Sequence, residues 1–254
     1  MNIAVCLKQV PDISEVRMKE DYTLDRAGAS QRISPSDEAA LELALRTKEQ
    51  LGGTVTVLSM GPERAENALR EAVARGAERA VLLSDASFAG SDSLITARCL
   101  AAAIRKLGDI GLVLCGRRTL DGETGQVGPM LASLLDFPCL PNLIRADIGE
   151  EITGTQLTGE GMRIFTCGTP AVLTVCEGSY VLRLPGLMGL RRAARTEIER
   201  WTRESLKLET EKCGLSASPT RVVRVAAVQD GGRRCRFVTG VQLVNVLGKA
   251  KVRP

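Results

Sequence analysis

Four short runs in the first half of the chain, each apolar along its whole length rather than at every second position, constrain the fold more than any other feature. They are residues 2–8 (NIAVCLK), 54–60 (TVTVLSM), 79–84 and 110–115. Between them lie longer segments whose apolar positions recur at the helical period. Ala39, Ala40, Leu41, Leu43 and Ala44 mark the first, Ala65, Ala68, Leu69, Ala72 and Val73 the second, and Ile95, Leu100, Ala101 and Ile104 the third. A strand that is apolar on both sides must be covered on both sides, so strands of this kind alternating with helices predict a mainly parallel sheet between two helical layers. The expected fold is doubly wound α/β. In such sheets ligands bind beyond the carboxyl ends of the strands, where strand order reverses, so each functional loop should follow a strand.

The punctuation agrees. Ser34-Pro35-Ser36-Asp37-Glu38 opens the first helix, with Ser36 as the candidate N-cap, and Gly52-Gly53 closes it. Gly61-Pro62 and Gly76 bound the second helix, the third ends near Gly108, and a fourth spans about Val127 to Leu135. Past Pro138 the beat changes: residues 146–168 read as a hairpin and residues 170–176 (PAVLTVC) as a further strand. From Glu177 the chain reads as irregular, an apolar, Met-containing loop followed by the basic run Arg191, Arg192 and Arg195. Residues 205–254 have weak periodicity apart from Arg221 to Val228, the pattern of a tail too thin to bury a core of its own. The expected division is an α/β domain over residues 1–200 and a C-terminal extension over 201–254 that lies on another surface.

Composition removes whole classes of function. The chain has no histidine, which excludes Ser-His-Asp and Cys-His catalysis within it, His-ligated zinc, and the usual general base near neutral pH. Any redox or group-transfer chemistry must then come from a cofactor. The aromatic residues, Tyr22, Phe88, Phe137, Phe165, Tyr180, Trp201 and Phe237, form no stacking platform for nucleic acid, and a net charge of +4 is too mild to argue for DNA. No apolar run reaches the roughly 18 to 20 residues of a membrane span, and the start lacks a signal-peptide pattern, so a cytoplasmic protein is expected. The eight cysteines never form C-x-x-C. Cys6, Cys115 and Cys176 stand in apolar runs and read as core thiols of a reducing compartment.

The stretch from Cys115 to Pro129, CGRRTLDGETGQVGP, is the best candidate for chemistry. Its glycines allow successive backbone N–H groups to point at one ligand, and the helix that follows adds partial positive charge, which suits a phosphate or pyrophosphate. Arg117 could add a charge-assisted contact. Neither a Walker A loop nor G-x-G-x-x-G is present. On spacing alone, a solvated, Thr-capped loop and a nucleotide-binding loop stand level; its place after the fourth strand favours binding.

Read as a whole, the chain resembles the β subunit of electron transfer flavoproteins. The resemblance is carried by VCLKQVPD (Val5 to Asp12), SPSDEAALELAL (Ser34 to Leu45), VLSMGP (Val57 to Pro62), LVLCGRRTLDGETGQVGP (Leu112 to Pro129), TPAVLTV (Thr169 to Val175), LPGLMGLRRA (Leu184 to Ala193) and GLSASPT (Gly214 to Thr220). It implies an adenine-nucleotide-hydrolase-like sheet and a heterodimer with an α subunit that carries FAD on a mobile domain. The β subunit of such a pair holds an adenine nucleotide, AMP in most members. In a subgroup that bifurcates electrons from NADH it holds a second FAD, with a loop reading D-G-D-T-x-Q-V-G-P. Asp121 to Pro129 is similar to the latter form, although Glu123 replaces an Asp and Arg118-Thr119-Leu120 replaces the usual Gln-Ala-Ile.

The resemblance implies nucleotide contacts from Cys6, Ser34, Pro35, Ser36, Asp37 and Met60. It implies more from the loop Gly116, Arg117, Arg118, Thr119, Leu120, Asp121, Gly122, Glu123, Thr124, Gly125, Gln126 and Val127. Physical reasoning supports Met60-Gly61 beside an adenine edge, Ser36 or Asp37 on a ribose or amine, and the glycine-rich loop on phosphates, while Cys6 could equally be core. Leu184, Pro185, Leu187 and Met188 match the family's docking loop for an acyl-CoA dehydrogenase or other redox partner, with Leu184 as the anchor; internal packing of Leu184, Leu187 and Met188 is the alternative. The extension would pack on the α subunit. A different class of function stays open, a stand-alone adenine-nucleotide sensor. An ATP-pyrophosphatase-type ligase is disfavoured because Lys8-Gln9-Val10-Pro11-Asp12 supplies no S-G-G-x-D-S loop.

Overall fold

The structure is a computed structural model that describes residues 1–12, 17–18, 24–25, 30–223, 237–240 and 242–244. Tyr22, Cys235 and most of the segment Arg221 to Val228 lie outside the described residues. In chain order the strands and helices are β1 (Asn2–Cys6), β2 (Gln9–Pro11), β3 (Arg17–Met18), β4 (Leu24–Asp25), β5 (Gln31–Ile33), α1 (Pro35–Leu51), β6 (Thr54–Met60), α2 (Glu66–Arg75), β7 (Arg79–Leu83), α3 (Ser93–Leu107), β8 (Leu112–Gly116), α4 (Val127–Leu135), β9 (Cys139–Ile148), β10 (Ile152–Thr158), β11 (Gly161–Cys167), β12 (Ala171–Val175), α5 (Leu187–Arg195), β13 (Glu199–Trp201) and α6 (Gly214–Ala217).

Nine strands form one sheet in the order β11-β10-β9-β12-β8-β1-β6-β7-β13. From β9 across to β13 every neighbouring pair is parallel, and the β10–β11 hairpin adds two antiparallel strands at one edge. The chain steps outward from β1 to β6 to β7, then returns through α3 to place β8 on the other side of β1. Strand order therefore reverses between β1 and β8, the switch point that the sequence pattern calls for.

Side chains of the central strands alternate between two cores, as the period of a strand requires. Ile3 and Val5 of β1 join the layer under α1, α2 and α5, with Leu41, Leu69 and Ala193, while Ala4 and Cys6 join the layer under α3 and α4, with Ile95, Leu100 and Leu131. Leu58, Leu112 and Leu114 are fully buried, and each such side chain is worth about 1.5–3 kcal/mol of transfer free energy. The apolar-throughout runs follow from this geometry, because both faces of these strands are covered.

Several expectations are corrected. The N-cap of α1 is Ser34, not Ser36: Pro35 takes the first helical position, where its missing N–H costs nothing, and the residue before a proline is held extended, as Ser34 is at ψ 133°. Ser36 is buried inside the first turn. The irregular segment after Glu177 contains α5, capped by Gly186. Residues 201–221 were expected to join the extension, but they belong to the first compact unit, Met1–Arg221, with Trp201, Leu206 and Cys213 buried in it. The second unit runs from Val222 to Pro254, and its described residues Val222, Val223, Phe237 and Val244 are exposed. Among the described residues no helix is long and apolar enough to cross a membrane.

One glycine tests how tightly the layers close. A Cβ on Gly128, in the first turn of α4, would sit 2.3 Å from Cγ2 of Thr174 on β12. Gly128→Ala should therefore destabilise the protein by about 1–3 kcal/mol through overpacking, read as a lower urea midpoint at unchanged slope. An unchanged midpoint would mean that α4 shifts off the sheet without cost.

Candidate functional site

The site is assembled where β1 and β8 end. Their last buried residues, Cys6 and Cys115, are cross-strand partners, and beyond them the two chains part, one into the segment from Leu7 to Ser34, the other into the glycine-rich loop. The head of α1 enters between them. Asp37, in its first turn and almost completely buried, accepts the backbone N–H of Lys8 at 2.8 Å on one carboxylate oxygen and that of Gly116 at 2.9 Å on the other. One side chain thus ties together both strand ends at the switch point. A second tie runs from the Ser34 N–H to the Lys8 carbonyl at 2.9 Å. Glycine at position 116 is required by this contact, because a Cβ there would lie 2.3 Å from the Asp37 carboxylate and 2.7 Å from its backbone nitrogen.

Burial of the Asp37 carboxylate raises its pKa from 3.8 to about 7, against the pull of the two N–H bonds and of Lys8. The Ser34 hydroxyl is fully buried and, among the described residues, has no hydrogen-bond partner, nor does any of their side chains cap α1. A buried hydroxyl of this kind costs free energy unless a ligand or water satisfies it. At the helix head Pro35 has no N–H, and the Asp37 and Glu38 N–H groups donate to the Ser34 carbonyl at 2.8 and 2.9 Å, so the Ser36 N–H is the donor the first turn has to offer.

The glycine-rich loop is shaped by its own backbone. The Arg117 N–H bonds Val175 O at 2.8 Å, and the Glu123 N–H bonds Thr119 O at 2.9 Å with Glu123 itself in the left-handed region at φ +50°. Gly125 is left-handed too, at φ +63°, against the Arg117 carbonyl. Thr124 is tied to the head of α3 by the Ser93 hydroxyl at 3.2 Å. Asp121 accepts the Lys8 ammonium at 2.7 and 2.9 Å, so an ion pair spans from the β1 loop to the β8 loop. Burial pulls the Asp121 carboxyl up, but Lys8 and Thr119 outweigh it and hold the group below its ordinary value. Arg118 and Glu123 approach only to 3.8 Å, both well exposed, and such a pair contributes little. Arg117, Gly122 and Gln126 face solvent, Leu120 is half-buried, and α4 starts at Val127 with no side chain capping it. Two uncapped helix heads and a polar loop therefore converge on the strand ends, a donor set that fits the phosphates and sugar of an adenine nucleotide.

Beside the loops lies a cleft of about 180 Å³ lined by Lys8, Met60, Gly61, Arg64 and Asp121, with Gln9, Pro11, Gln31, Pro62 and Ala65. Met60 and Asp121 are the expected site residues in it. Gln9, Pro62 and Arg64 were missed, since nothing in their spacing marks them; the fold brings them in because β2 and the start of the second βα connection flank the same strand ends. Cys6 sits in the core beneath α3 and α4, and the adjacent Cys6 thiol together with burial pushes the Cys115 thiol well above its ordinary pKa. A larger cleft, about 680 Å³, lies elsewhere, between α1 and β9–β10, lined by Arg46, Arg145, Asp147, Glu151 and Tyr180 among others. The strand-end crevice is the stronger candidate: the buried Ser34 hydroxyl, without a partner among the described residues, and both open helix heads are found there, while Tyr180 is satisfied by the Ala146 backbone.

Far along the α1–α2 face, Leu184, Leu187 and Met188 are exposed rather than packed inside, and Pro185 is half-buried. Leu190, unmarked in the sequence reading, extends the exposed apolar stripe along α5. Arg191 and Arg195 flank it, whereas Arg192 reaches back to the Val73 carbonyl at 2.7 Å.

Comparison with known proteins bears on this arrangement. Residues 21–206 match the electron transfer flavoprotein domain. The chain is 42% identical over 226 residues to the electron transfer flavoprotein subunit beta of Thermoanaerobacterium thermosaccharolyticum, covering 88% of this chain and 86% of that protein. It is 39% identical over 247 residues to Protein FixA of Azotobacter vinelandii, covering 94% and 88%. It is 37% identical over 254 residues to the caffeyl-CoA reductase-Etf complex subunit CarD of Acetobacterium woodii, covering 98% and 95%.

The raised pKa of Asp37 fixes the sign of a pH effect. The folded chain holds this proton more tightly than the unfolded chain, so the contribution to stability is full below about pH 4 and is lost as the pH rises through about 7. A carboxyl-carbon NMR titration should place the Asp37 midpoint near 7, and Asp37→Asn should flatten the fall in stability across that window. A midpoint near 4 would show that the staple is solvated.

Proposed function

The chain belongs to the electron transfer flavoprotein family, as a β-subunit relative along nearly its whole length, and from that premise we propose that it is the nucleotide-holding half of a heterodimeric electron carrier. The observation that carries the proposal is the Asp37 staple, which fixes two loops and an uncapped helix head around the switch point of a parallel sheet. Lys8 and Arg117 supply charge for phosphates, and N–H donors come from the backbone of Gly122, Thr124, Gly125 and Gln126, while those of Gly116, Arg117 and Glu123 are spent on holding the loop. Met60-Gly61 lets an adenine approach the β6 backbone, and Ser34 and Ser36 offer hydroxyls at the head of α1. Asp37 acts through the loops it holds, both carboxylate oxygens being engaged by backbone. A flavin bound there or on the α subunit supplies one- and two-electron redox chemistry. The chain's own part is to hold, orient and dock: it has no histidine, and Asp37, whose pKa burial raises to about 7, has both oxygens engaged by backbone N–H groups.

The nucleotide is a second FAD rather than AMP, because Asp121 to Pro129 resembles the loop of the NADH-dependent, bifurcating subgroup. Electrons enter from NADH or a dehydrogenase flavin and leave through FAD on the α subunit. The exposed Leu184–Leu190 segment docks an acyl-CoA dehydrogenase or similar redox partner. A relative named for a caffeyl-CoA reductase complex supports a partner that works on CoA thioesters. The exposed apolar residues of the unit from Val222 onward cover the α subunit.

The test is to coexpress the chain with its α subunit, purify without added nucleotide, denature, and quantify released FAD and AMP by chromatography. The proposal expects about two FAD per heterodimer. One FAD with one AMP would keep the carrier and overturn the second FAD. Adenine nucleotide without flavin would overturn the carrier in favour of a nucleotide sensor. In the same complex, replacing Asp121, Thr124 and Gln126 with Ala should lower the nucleotide occupancy of this subunit several-fold; full occupancy would overturn the loop assignment.

A further inference from the structure

The segment that exposes Leu184 is held by an ionic clamp, buried at its Glu42 end and open at its Glu49 end, that plays no part in the proposed nucleotide crevice. Glu42 lies in the middle of α1 and is only 3% exposed. It accepts from the Arg183 guanidinium at 3.0 and 3.2 Å, from the Arg183 backbone N–H at 3.1 Å, and from Arg46 at 2.8 Å. Arg183 also donates to Glu49, at 3.0 Å through one nitrogen and through a second contact from the other. Its carbonyl accepts from Arg75 at 3.0 Å. The residue before Leu184 is therefore fixed at its N–H, its carbonyl and its side chain, and Pro185 restricts the chain just beyond.

The far side of the segment is tied as firmly. A Cβ on Gly189 would lie 2.0 Å from the Ala74 carbonyl, so α5 meets α2 with its backbone, and Arg70 holds the Ala193 carbonyl at 2.9 Å. Yet Leu184 is 87% exposed, Met188 73% and Leu187 68%. Core packing would bury such side chains. Here the backbone is immobilised and the apolar groups face outward, which is the arrangement that spares a partner the ordering cost of about 0.5–1.5 kcal/mol per side chain. Along α5, Leu187, Leu190 and Ala194 share a stripe at helical spacing, with Arg191 and Arg195 beside it.

We propose that Glu42 and Arg183, backed by Glu49, are positioning residues that hold Leu184 and the outer stripe of α5 in one binding-ready shape for a redox partner whose apolar pocket is edged by carboxylates. The inference rests on the docking function proposed above for this segment. An ion pair with one member as buried as Glu42 adds little to stability alone, since the desolvation cost of that carboxylate offsets most of the attraction. Its distinctive effect is the single geometry it imposes, here on the residue that precedes the anchor.

The experiment uses the assembled heterodimer and an acyl-CoA dehydrogenase reduced by its acyl-CoA, with an excess of an artificial dye that reoxidises the heterodimer as terminal electron acceptor and steady-state kinetics in the dehydrogenase concentration. Arg183→Met and Glu42→Gln should each raise KM about 5- to 10-fold, with kcat and nucleotide content unchanged, as loss of pre-organisation rather than of chemistry. Arg183→Lys, which keeps the charge but not the fork, should fall between them and wild type. Leu184→Ala should raise KM as well, and adding Arg183→Met to it should change little more. Where the buried variants disturb assembly, Glu49→Gln at the exposed end of the clamp gives the same test, with faster amide exchange over residues 184–190 as its second readout. No effect of Leu184→Ala, or no turnover of the wild type with the dehydrogenase, overturns the docking function and this inference with it. An effect of Leu184→Ala with none from the clamp variants overturns the clamp alone.

Discussion

The carboxylate of Asp37 joins the ends of two strands that the chain reaches by opposite routes, and the geometry of the candidate site depends on that bond. β1 and β8 are neighbours, but the connections leaving them run to different places, so nothing in the ladder itself fixes their loops. By accepting one N–H from each, Asp37 sets the distance between the Lys8 segment and the glycine-rich loop. Gly116 is there to admit the carboxylate, and Pro35 starts the helix early enough to bring Asp37 to the right height. The cost is a buried acid whose pKa rises to about 7. A site that must bind an anionic ligand with backbone donors gains from such a staple, because it pre-organises donors without placing a second exposed negative charge in the mouth.

The same helix carries a second buried carboxylate with an equivalent job on another surface. Asp37 at the head of α1 organises the strand-end crevice, and Glu42 in its middle fixes Arg183 and the exposed segment that follows. α1 is packed on the sheet along its length, so both carboxylates take their reference from the same rigid body. The proposed nucleotide crevice and the proposed docking segment are thereby placed apart on the chain, each with its geometry set by α1 rather than by its own loop.

Much of this was legible in the sequence. The uniformly apolar runs gave the parallel sheet, the glycines and Pro62 gave the helix limits, and the loop after β8 stood out by its glycines and its place in the strand order. Other parts depend on contacts that no local pattern records. Ser36 looked like a cap because it stands just ahead of the apolar helical run that begins at Ala39, but the proline before it moved the cap to Ser34. α5 was hidden because its apolar stripe faces solvent and its inner face is Gly189 and Ala193, residues too small to register as a core pattern. Gln9 and Arg64 enter the cleft only through the fold. The role of Glu42 was invisible, since a glutamate at that position in a helix reads as solvated surface until Arg183 is seen beside it.

The proposed place of the adenine nucleotide is the crevice between β1 and β8. Amide hydrogen exchange on the purified heterodimer, with its nucleotide retained and after its removal, tests it directly. The nucleotide should slow exchange at Lys8, at Ser36 and Asp37, and through Gly116 to Gln126, with little change around Arg46, Arg145 and Tyr180. Protection confined to the larger cleft between α1 and β9–β10, with the glycine-rich loop unaffected, would contradict it.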